Sequence, residues 1–389
     1  MTTPDMRLDP YPHYAKMRAT APVFFNPERQ VWEVYGYHDI QTVLGDPVTF
    51  SSEIHSAAMK SKMQTMGTMD PPRHTQLRKL ISRAFTTKTV AALEPRIHRV
   101  TNELLDRAAS IGQMDIITDF AFLLPITVIA ELLGVPLSDQ DKFKRWSDAL
   151  VQILELAFQG QAPKPHLLEA VDEIMQYLEA VVAERQRQPS DDLISGLITA
   201  NVDGEHLTLQ EITSTCRGLL IAGHETTANL IGNAMHLLLE HPDSLARLRA
   251  EPELLPSAIE EVLRYRTPSQ FFARIANRDI ELGEQLIRAG QRVVVFNGSG
   301  NRDAAAFPDP DRFDITRSPN RHLSFGYGIH FCLGAGLGRV EAKIAINALL
   351  QRFPDIQLDA MKTVEPLSSK VLFGLRHLPV RFTPTVVQS

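Results

Sequence analysis

The sequence predicts a mainly α-helical chain with a minor β region, an α+β fold. Three observations carry that reading. Apolar residues recur at the helical period from His38 to about Arg266, with stops such as Asp46-Pro47, Gly134-Val135-Pro136 and His241-Pro242. Short segments rich in Val, Ile and Phe follow Pro268 and read as strands. No Ser/Gly/Pro-rich linker or low-complexity tract divides the 389 residues, and the 25 prolines are spread along the chain, so a single domain over 1–389 is expected.

Taken in order, residues 10–19 read as a helix. VFFNPERQVWEVYGY then alternates apolar and polar residues around Asn26-Pro27, a hairpin signal that opens a β-rich side at about 20–37. The most apolar stretch, Phe120 to Val135, is broken by Pro125 and Glu131 and falls short of the ~20 residues needed to span a bilayer, so it reads as buried helix. LLIAGHETTANLIGNAMHLLLE, residues 219–240, is a long apolar helical pattern interrupted by Gly223, His224, Glu225, Thr226 and Thr227. Gly223 costs about 1 kcal/mol of helix propensity relative to Ala, and the hydroxyls can bond back to the preceding turn. Local opening of the helix, with room for a small ligand, is the expectation. In AIEEVLRYRTP, Glu261 and Arg264 share a helical face, and as a surface pair they would contribute only ~0.5 kcal/mol. Strands are expected in FFARIA, DIELG, QRVVVFN and VLFGLRHLPVRF, covering about 271–297 and 371–383.

Composition narrows the classes of function. A hydrophobic share of 44% and a charged share of 22% describe an ordinary globular chain, and a net charge of −6 argues against nucleic acid, which needs clustered Lys and Arg. Cys216 and Cys332 cannot make a disulfide framework, which fits a reducing cytoplasm. MTTPDMRLDPYPHY lacks the basic start and apolar core of a signal peptide or membrane anchor.

The chemistry gathers at FGYGIHFCLG, Phe325 to Gly334. A thiolate at Cys332 would lie near the N-terminus of a helix beginning around Leu333, where orphan N–H groups and the helix dipole favour negative charge. Gly326, Gly328 and Gly334 allow positive φ and close approach of a flat partner. Taken alone, the loop admits metal, nucleophile or haem readings. A zinc site lacks a second Cys or paired His at finger spacing beside His322, His330 and Cys332. A hydrolytic Cys332 with His330 as base leaves AGHETT and the Glu261–Arg264 pair unexplained. GAGLGR, Gly334 to Arg339, has its third glycine one residue early for a dinucleotide fingerprint and follows no βαβ unit.

Phe325, Gly328, Cys332 and Gly334 match FxxGxxxCxG, and by this the chain resembles the cytochrome P-450 superfamily of the soluble bacterial type, over roughly Asp9 to Phe382. The resemblance implies a triangular helical prism with small sheets. It implies a haem-thiolate monooxygenase with haem b as cofactor and dioxygen as co-substrate, Cys332 being the axial iron ligand whose electron donation favours O–O cleavage. AGHETT matches the distal helix, which gives Glu225 and Thr226 as the proton relay and Gly223 as a cofactor contact. Propionate partners are implied at His74 and Arg78, four apart in DPPRHTQLRKL, and at Arg274 and His330. Glu261 and Arg264 become a buried brace for the loop, with Arg312 of FPDPDRFD as third member, while Glu260 points elsewhere. The implied substrate pocket draws on Ile54 to Met66, Val151 to Phe158, Leu219, Ala222, Phe271, Phe272, Leu372 and Phe373, an apolar lining suited to a hydrophobic small molecule.

With no flavin, nicotinamide or iron–sulfur motif, electrons are expected from a ferredoxin or flavodoxin with its reductase, docking near Arg73, Lys79, Arg339 and Lys343. A cytoplasmic monomer without a membrane anchor is the accompanying expectation. A haem-thiolate peroxygenase or isomerase, and a non-catalytic haem sensor, are the alternatives, both disfavoured by the intact Glu225 and Thr226. Ala304 and Arg288 stand in loops where the family often has proline, away from the proposed chemistry.

Overall fold

The computed structural model describes residues 9–55, 57–202 and 204–384. Residues 1–8, on which the expectation of no leader or anchor rests, and Ser56, inside the expected pocket segment 54–66, lie outside the described residues.

The N-terminal hairpin forms as the alternation predicts. Asn26 Oδ1 accepts from the N–H groups of Glu28 and Arg29 at 3.0 and 3.1 Å, the local bonding that makes Asn-Pro a turn. Strand β1 (Val23–Asn26) thus returns as β2 (Val31–Val34), with Val23 opposite Val34. These strands join β3 (Phe50–Ser51), β4 (Phe272–Ala276) and β5 (Arg292–Val295) in a sheet of order β1-β2-β5-β4-β3, in which β5 runs parallel to β2. Leu375–His377 and Pro379–Arg381 supply strands in the expected C-terminal region. A strand at Gln113–Asp115, inside the region read as wholly helical, pairs with 379–381. Its polar sequence carries no strand signal, so only the distant partner makes it one.

The helices that build the site are α1 (Tyr11–Thr20), α2 (Ala57–Met63), α3 (Arg73–Ile81), α4 (Leu123–Leu133), α5 (Gln140–Phe158), α6 (Pro165–Arg187), α7 (Leu209–Glu240), α8 (Leu255–Tyr265) and α9 (Ala335–Arg352). The predicted stops hold. Gly134 at φ +77 closes α4 with the N–H groups of Gly134 and Val135 bonded back to Glu131 and Ala130, and His241 ends α7. The apolar run that includes α4 passes a membrane-span test by length and composition, yet most of it is buried in the core, as the breaks at Pro125 and Glu131 suggested.

Helix α7 is the central element. Thr208 and Glu211 cap it reciprocally, the Thr208 hydroxyl accepting from the Glu211 N–H and the Glu211 carboxylate from the Thr208 N–H. It packs against α4, α6 and α9, and each fully buried aliphatic side chain on it, such as Ile231, contributes ~1.5–3 kcal/mol relative to exposure.

Candidate active site

A cavity of about 430 Å³ lies between α7 and the cysteine loop, within the range of small-molecule sites. Its floor is held by α8. Glu261 and Arg264 are wholly buried, and Arg264 Nε and Nη2 donate to the two carboxylate oxygens at 2.8 Å each. The remaining Arg264 donors reach the carbonyls of Asn301, Pro310 and Arg312 at 2.9, 2.7 and 3.1 Å. Glu261 also accepts from the Asp314 N–H, Asn320 Nδ2 and Arg317 Nε at 2.8, 3.1 and 3.2 Å. The third arginine of the brace is therefore Arg317, not Arg312, which contributes only its backbone carbonyl. Arg312 is exposed, whereas Arg317 folds back far enough for its Nη2 to bond the Arg312 carbonyl itself.

The brace reaches the loop through Asn301, whose side chain bonds the Leu323 N–H and Ser324 Oγ at 2.7 and 2.9 Å. Glu260, one residue earlier on α8, points the other way and takes Arg339 in a fork at 2.7 and 2.8 Å, with His322 Nε2 at 3.1 Å. Burial pushes the Glu260 carboxyl up, but the Arg339 and His322 bonds outweigh it and hold the group at about 2. Arg339 in turn lies 4.4 Å over the Phe325 ring.

In the loop, the Cys332 N–H donates to the Phe325 carbonyl at 2.8 Å, and Gly326 and Gly328 adopt φ +74 and +71. Gly334 does not: at φ −84 it is the N-cap of α9, which begins at Ala335 rather than Leu333. A Cβ on Gly334 would meet nothing within 4 Å, whereas one on Gly328 would strike the Leu44 carbonyl at 2.6 Å. Gly328 is thus demanded by packing, and Gly334 leaves open space beside the sulfur. Cys332 is exposed, its surface opening onto the cavity. Burial pushes its thiol up, against the pull of the Gly334 N–H, Arg78, Arg339 and the Ala335 N–H. The helix terminus alone does not make this sulfur an anion.

Four basic side chains converge at one corner. The His74 and His330 rings lie 4.1 Å apart, and both His74 nitrogens and His330 Nε2 are buried without a partner. Arg274 is 7% exposed and among the described residues bonds only the Ala273 carbonyl, while Arg78 donates to the Phe331 carbonyl. Burial lowers Arg274 to about 10, and burial, His74, Arg274 and Arg78 together press His330 down to about 3. Groups left so short of acceptors suit a multivalent anion.

The opposite wall departs from the expected picture. Helix α7 runs unbroken through Gly223–Thr227, with Thr226 Oγ1 bonded back to Ala222 at 2.8 Å and Thr227 Oγ1 to Gly223 at 3.3 Å. The back-bonds form, but the helix does not open. Gly223 serves close packing, since a Cβ there would press Ile129 of α4 at 3.1 Å. Thr226 faces the cavity; Glu225 does not. The Glu225 carboxylate accepts from Ser147 Oγ of α5 at 3.0 Å, with His224 Nε2 3.4 Å away. Burial would raise it, but His224, Ser147 and Lys144 outweigh burial and lower it. The acid and the alcohol are therefore neighbours in sequence pointing to different places.

A sequence model described as Cytochrome P450 matches residues 16–383. The chain is 42% identical over 396 residues to the cytochrome P450 monooxygenase PikC of Streptomyces venezuelae, covering 97% of this chain and 92% of that one. It is 41% identical over 410 residues to the 6-deoxyerythronolide B hydroxylase of Saccharopolyspora erythraea, covering 98% and 99%. The crystal structure of CYP109E1 from Bacillus megaterium in complex with testosterone superposes with a TM-score of 0.91 at 41% identity, over 98% of this chain and all of that one. The chain belongs to the cytochrome P450 family. As a P450 it is an oxidoreductase of the monooxygenase kind, using haem iron and oxygen to hydroxylate or epoxidise small molecules.

The residues present fit that cofactor. The acceptor-starved corner at His74, Arg78, Arg274 and His330 suits two propionates, and the open space at Gly334 suits a flat ring over Cys332. Of the expected pocket residues, Leu219, Ala222 and Phe272 line the P450 cavity, joined by Thr65 and Met66 from the 54–66 segment. Phe271, Leu372 and Phe373 lie outside its wall. Phe271 stacks on Phe158 at 4.3 Å, Phe373 packs edge-on against Tyr11 of α1, and Leu372 bridges to Ser269. The α5 segment 151–158 does not reach the cavity either. Of the four cations expected at a docking face, Arg73 is paired with Glu211 and Arg339 with Glu260, leaving Lys79 and Lys343 exposed. Sequence reasoning missed Glu341, a wholly buried carboxyl that lines the cavity, keeps Oε1 unpartnered and is raised to about 8 by burial. The available signal was a lone acid on the apolar stripe of α9.

Proposed function

We propose that this P450 binds haem b through Cys332 and inserts one oxygen atom into a bulky hydrophobic molecule of the steroid or macrolactone kind. The observation that carries the reading is the pairing of a sulfur opening onto an apolar cavity with four basic side chains beside it, of which His74 and His330 keep buried nitrogens without a partner among the described residues. The substrate class follows the testosterone-bound relative and the 6-deoxyerythronolide B hydroxylase, together with the apolar wall at Leu219, Ala222 and Phe272.

Bound haem supplies dioxygen binding and reductive O–O cleavage, which a thiolate ligand favours. The protein's own part is positioning and protons. Cys332 gives up its proton on ligation, because a coordinating thiol is deprotonated by the metal's charge. His74, Arg78, Arg274 and His330 hold the two carboxylates. Thr226, whose hydroxyl donates to the Ala222 carbonyl, lines the cavity and can accept a hydrogen bond there. Glu225 supplies the proton after leaving Ser147, so in this reading the relay is completed by a side-chain rotation.

Electrons come from a ferredoxin or flavodoxin with its reductase, approaching the face where Phe331, Tyr327, Lys79 and Lys343 are exposed. The protein is read as one domain, monomeric and cytoplasmic. The reduced carbon monoxide spectrum is the test: the red-shifted thiolate-type Soret band is expected in the wild type and lost in Cys332→Ser. A wild-type protein without that band would overturn the assignment. Product formed with peroxide as efficiently as with ferredoxin and reductase would instead favour a peroxygenase.

A further inference from the structure

Arg217 of α7 is among the largest wholly buried side chains, 2% exposed, and no carboxylate lies within ion-pair distance of it among the described residues. Its donors go to neutral acceptors instead: the Lys62 carbonyl at 2.5 Å, the Gln64 carbonyl at 3.1 Å and the Met175 sulfur of α6 at 3.5 Å. Lys62 is in the last turn of α2, where unpaired carbonyls and the negative end of the helix dipole collect. The carbonyls at the C-terminus of α2 thus take the place of a carboxylate partner for the guanidinium. The next residues, Thr65, Met66 and Gly67, form part of the cavity wall. Thr65 lies beside Gly218 of α7, where an added Cβ would stand 3.5 Å from the Thr65 side chain, an ordinary contact distance.

We infer that Arg217 is a latch: it holds the α2 end and the 64–67 segment against α7 and so sets the shape of the substrate wall without touching substrate. It is a positioning residue, and the inference rests on the reading of this cavity as the substrate site. A buried guanidinium is costly unless its donors find acceptors, and the Lys62 and Gln64 carbonyls supply them. The exposed Lys62–Asp172 pair ties the same helix to α6 from outside, but at a solvated surface it contributes little.

The test uses the haem-loaded enzyme and two iron-binding probes of different size, 4-phenylimidazole, which fills more of the cavity, and the smaller imidazole. Arg217→Met should weaken 4-phenylimidazole by ~10-fold, as expected if the closed wall falls to a tenth of its population, and change imidazole by under ~2-fold. Amide hydrogen exchange at 62–68 should rise in the same variant, and this readout does not depend on what the cavity binds. Lys62→Ala should leave probes and exchange unchanged, and Arg217→Lys, which keeps a cation but loses the fork, should fall between. Unchanged exchange in Arg217→Met would overturn the latch, as would equal weakening of both probes or a Lys62→Ala variant that behaves the same way. Should Arg217→Met not fold, exchange in Arg217→Lys decides, and wild-type rates there would sink the idea.

Discussion

The two walls of the cavity are built on different principles. The floor, from α8 through the cysteine loop to α9, is a network of charged and backbone hydrogen bonds around two adjacent carboxylates, Glu260 and Glu261. The opposite wall, from α7 to the 64–67 segment, is apolar side chains and hydroxyls bonded back into their own helix. The floor holds a sulfur through charged and backbone bonds; the opposite wall presents an apolar surface.

That contrast breaks first at Glu261. Glu261→Gln leaves Arg264 buried without its charge partner, and a loss of ~3–5 kcal/mol in stability is expected by chemical denaturation, with haem retention falling alongside. Across the cavity, Thr226→Ala should leave stability near wild type while product formed per reductant consumed falls by up to ~10²-fold. Coupling that stays at the wild-type level would remove Thr226 from the relay. A finer division within the floor comes from the two candidate arginines. Arg317→Ala should cost ~1.5–3 kcal/mol by removing a charged bond to Glu261, and Arg312→Ala no more than ~0.5 kcal/mol, because only its carbonyl is used. Equal losses would erase the distinction.

The smallest effect is at Ser147. Its hydroxyl helps hold the Glu225 carboxyl low, so Ser147→Ala raises that group and frees it toward the cavity. The acidic limb of the coupling profile should move to higher pH, with turnover changing by less than ~10-fold. A shift to lower pH would contradict the placement of Glu225.

The same division explains what the sequence revealed. Floor residues are close together in the chain or stand in a short motif, so Phe325, Cys332, Glu261 and Arg264 were legible. The choice between Arg312 and Arg317 was not, because both lie in one irregular segment and only its folded path decides which side chain turns inward. On the other wall, Leu219 and Ala222 were implied by the family resemblance and line the cavity, but Phe271 and Phe272, implied in the same way, are adjacent on the chain and emerge on opposite faces of β4's approach, one toward Phe158 and the other toward the cavity. Glu225 shows the limit most plainly: its motif implied a place over the iron, and a serine from α5, far away in sequence, turns its carboxylate aside.

Glu260 and Glu261 stand next to each other on α8 and so point about 100° apart around the helix. One grips Arg339, past the cysteine; the other grips Asp314, Arg317 and Asn320, before it. A single helical turn thus clamps both ends of the intervening chain. The span from Asn320 to Arg339 is therefore tied at both ends, and a change in its length must be taken up by the loop that carries Cys332. Homologous chains are then expected to keep the length of this span along with its Gly328 and Cys332.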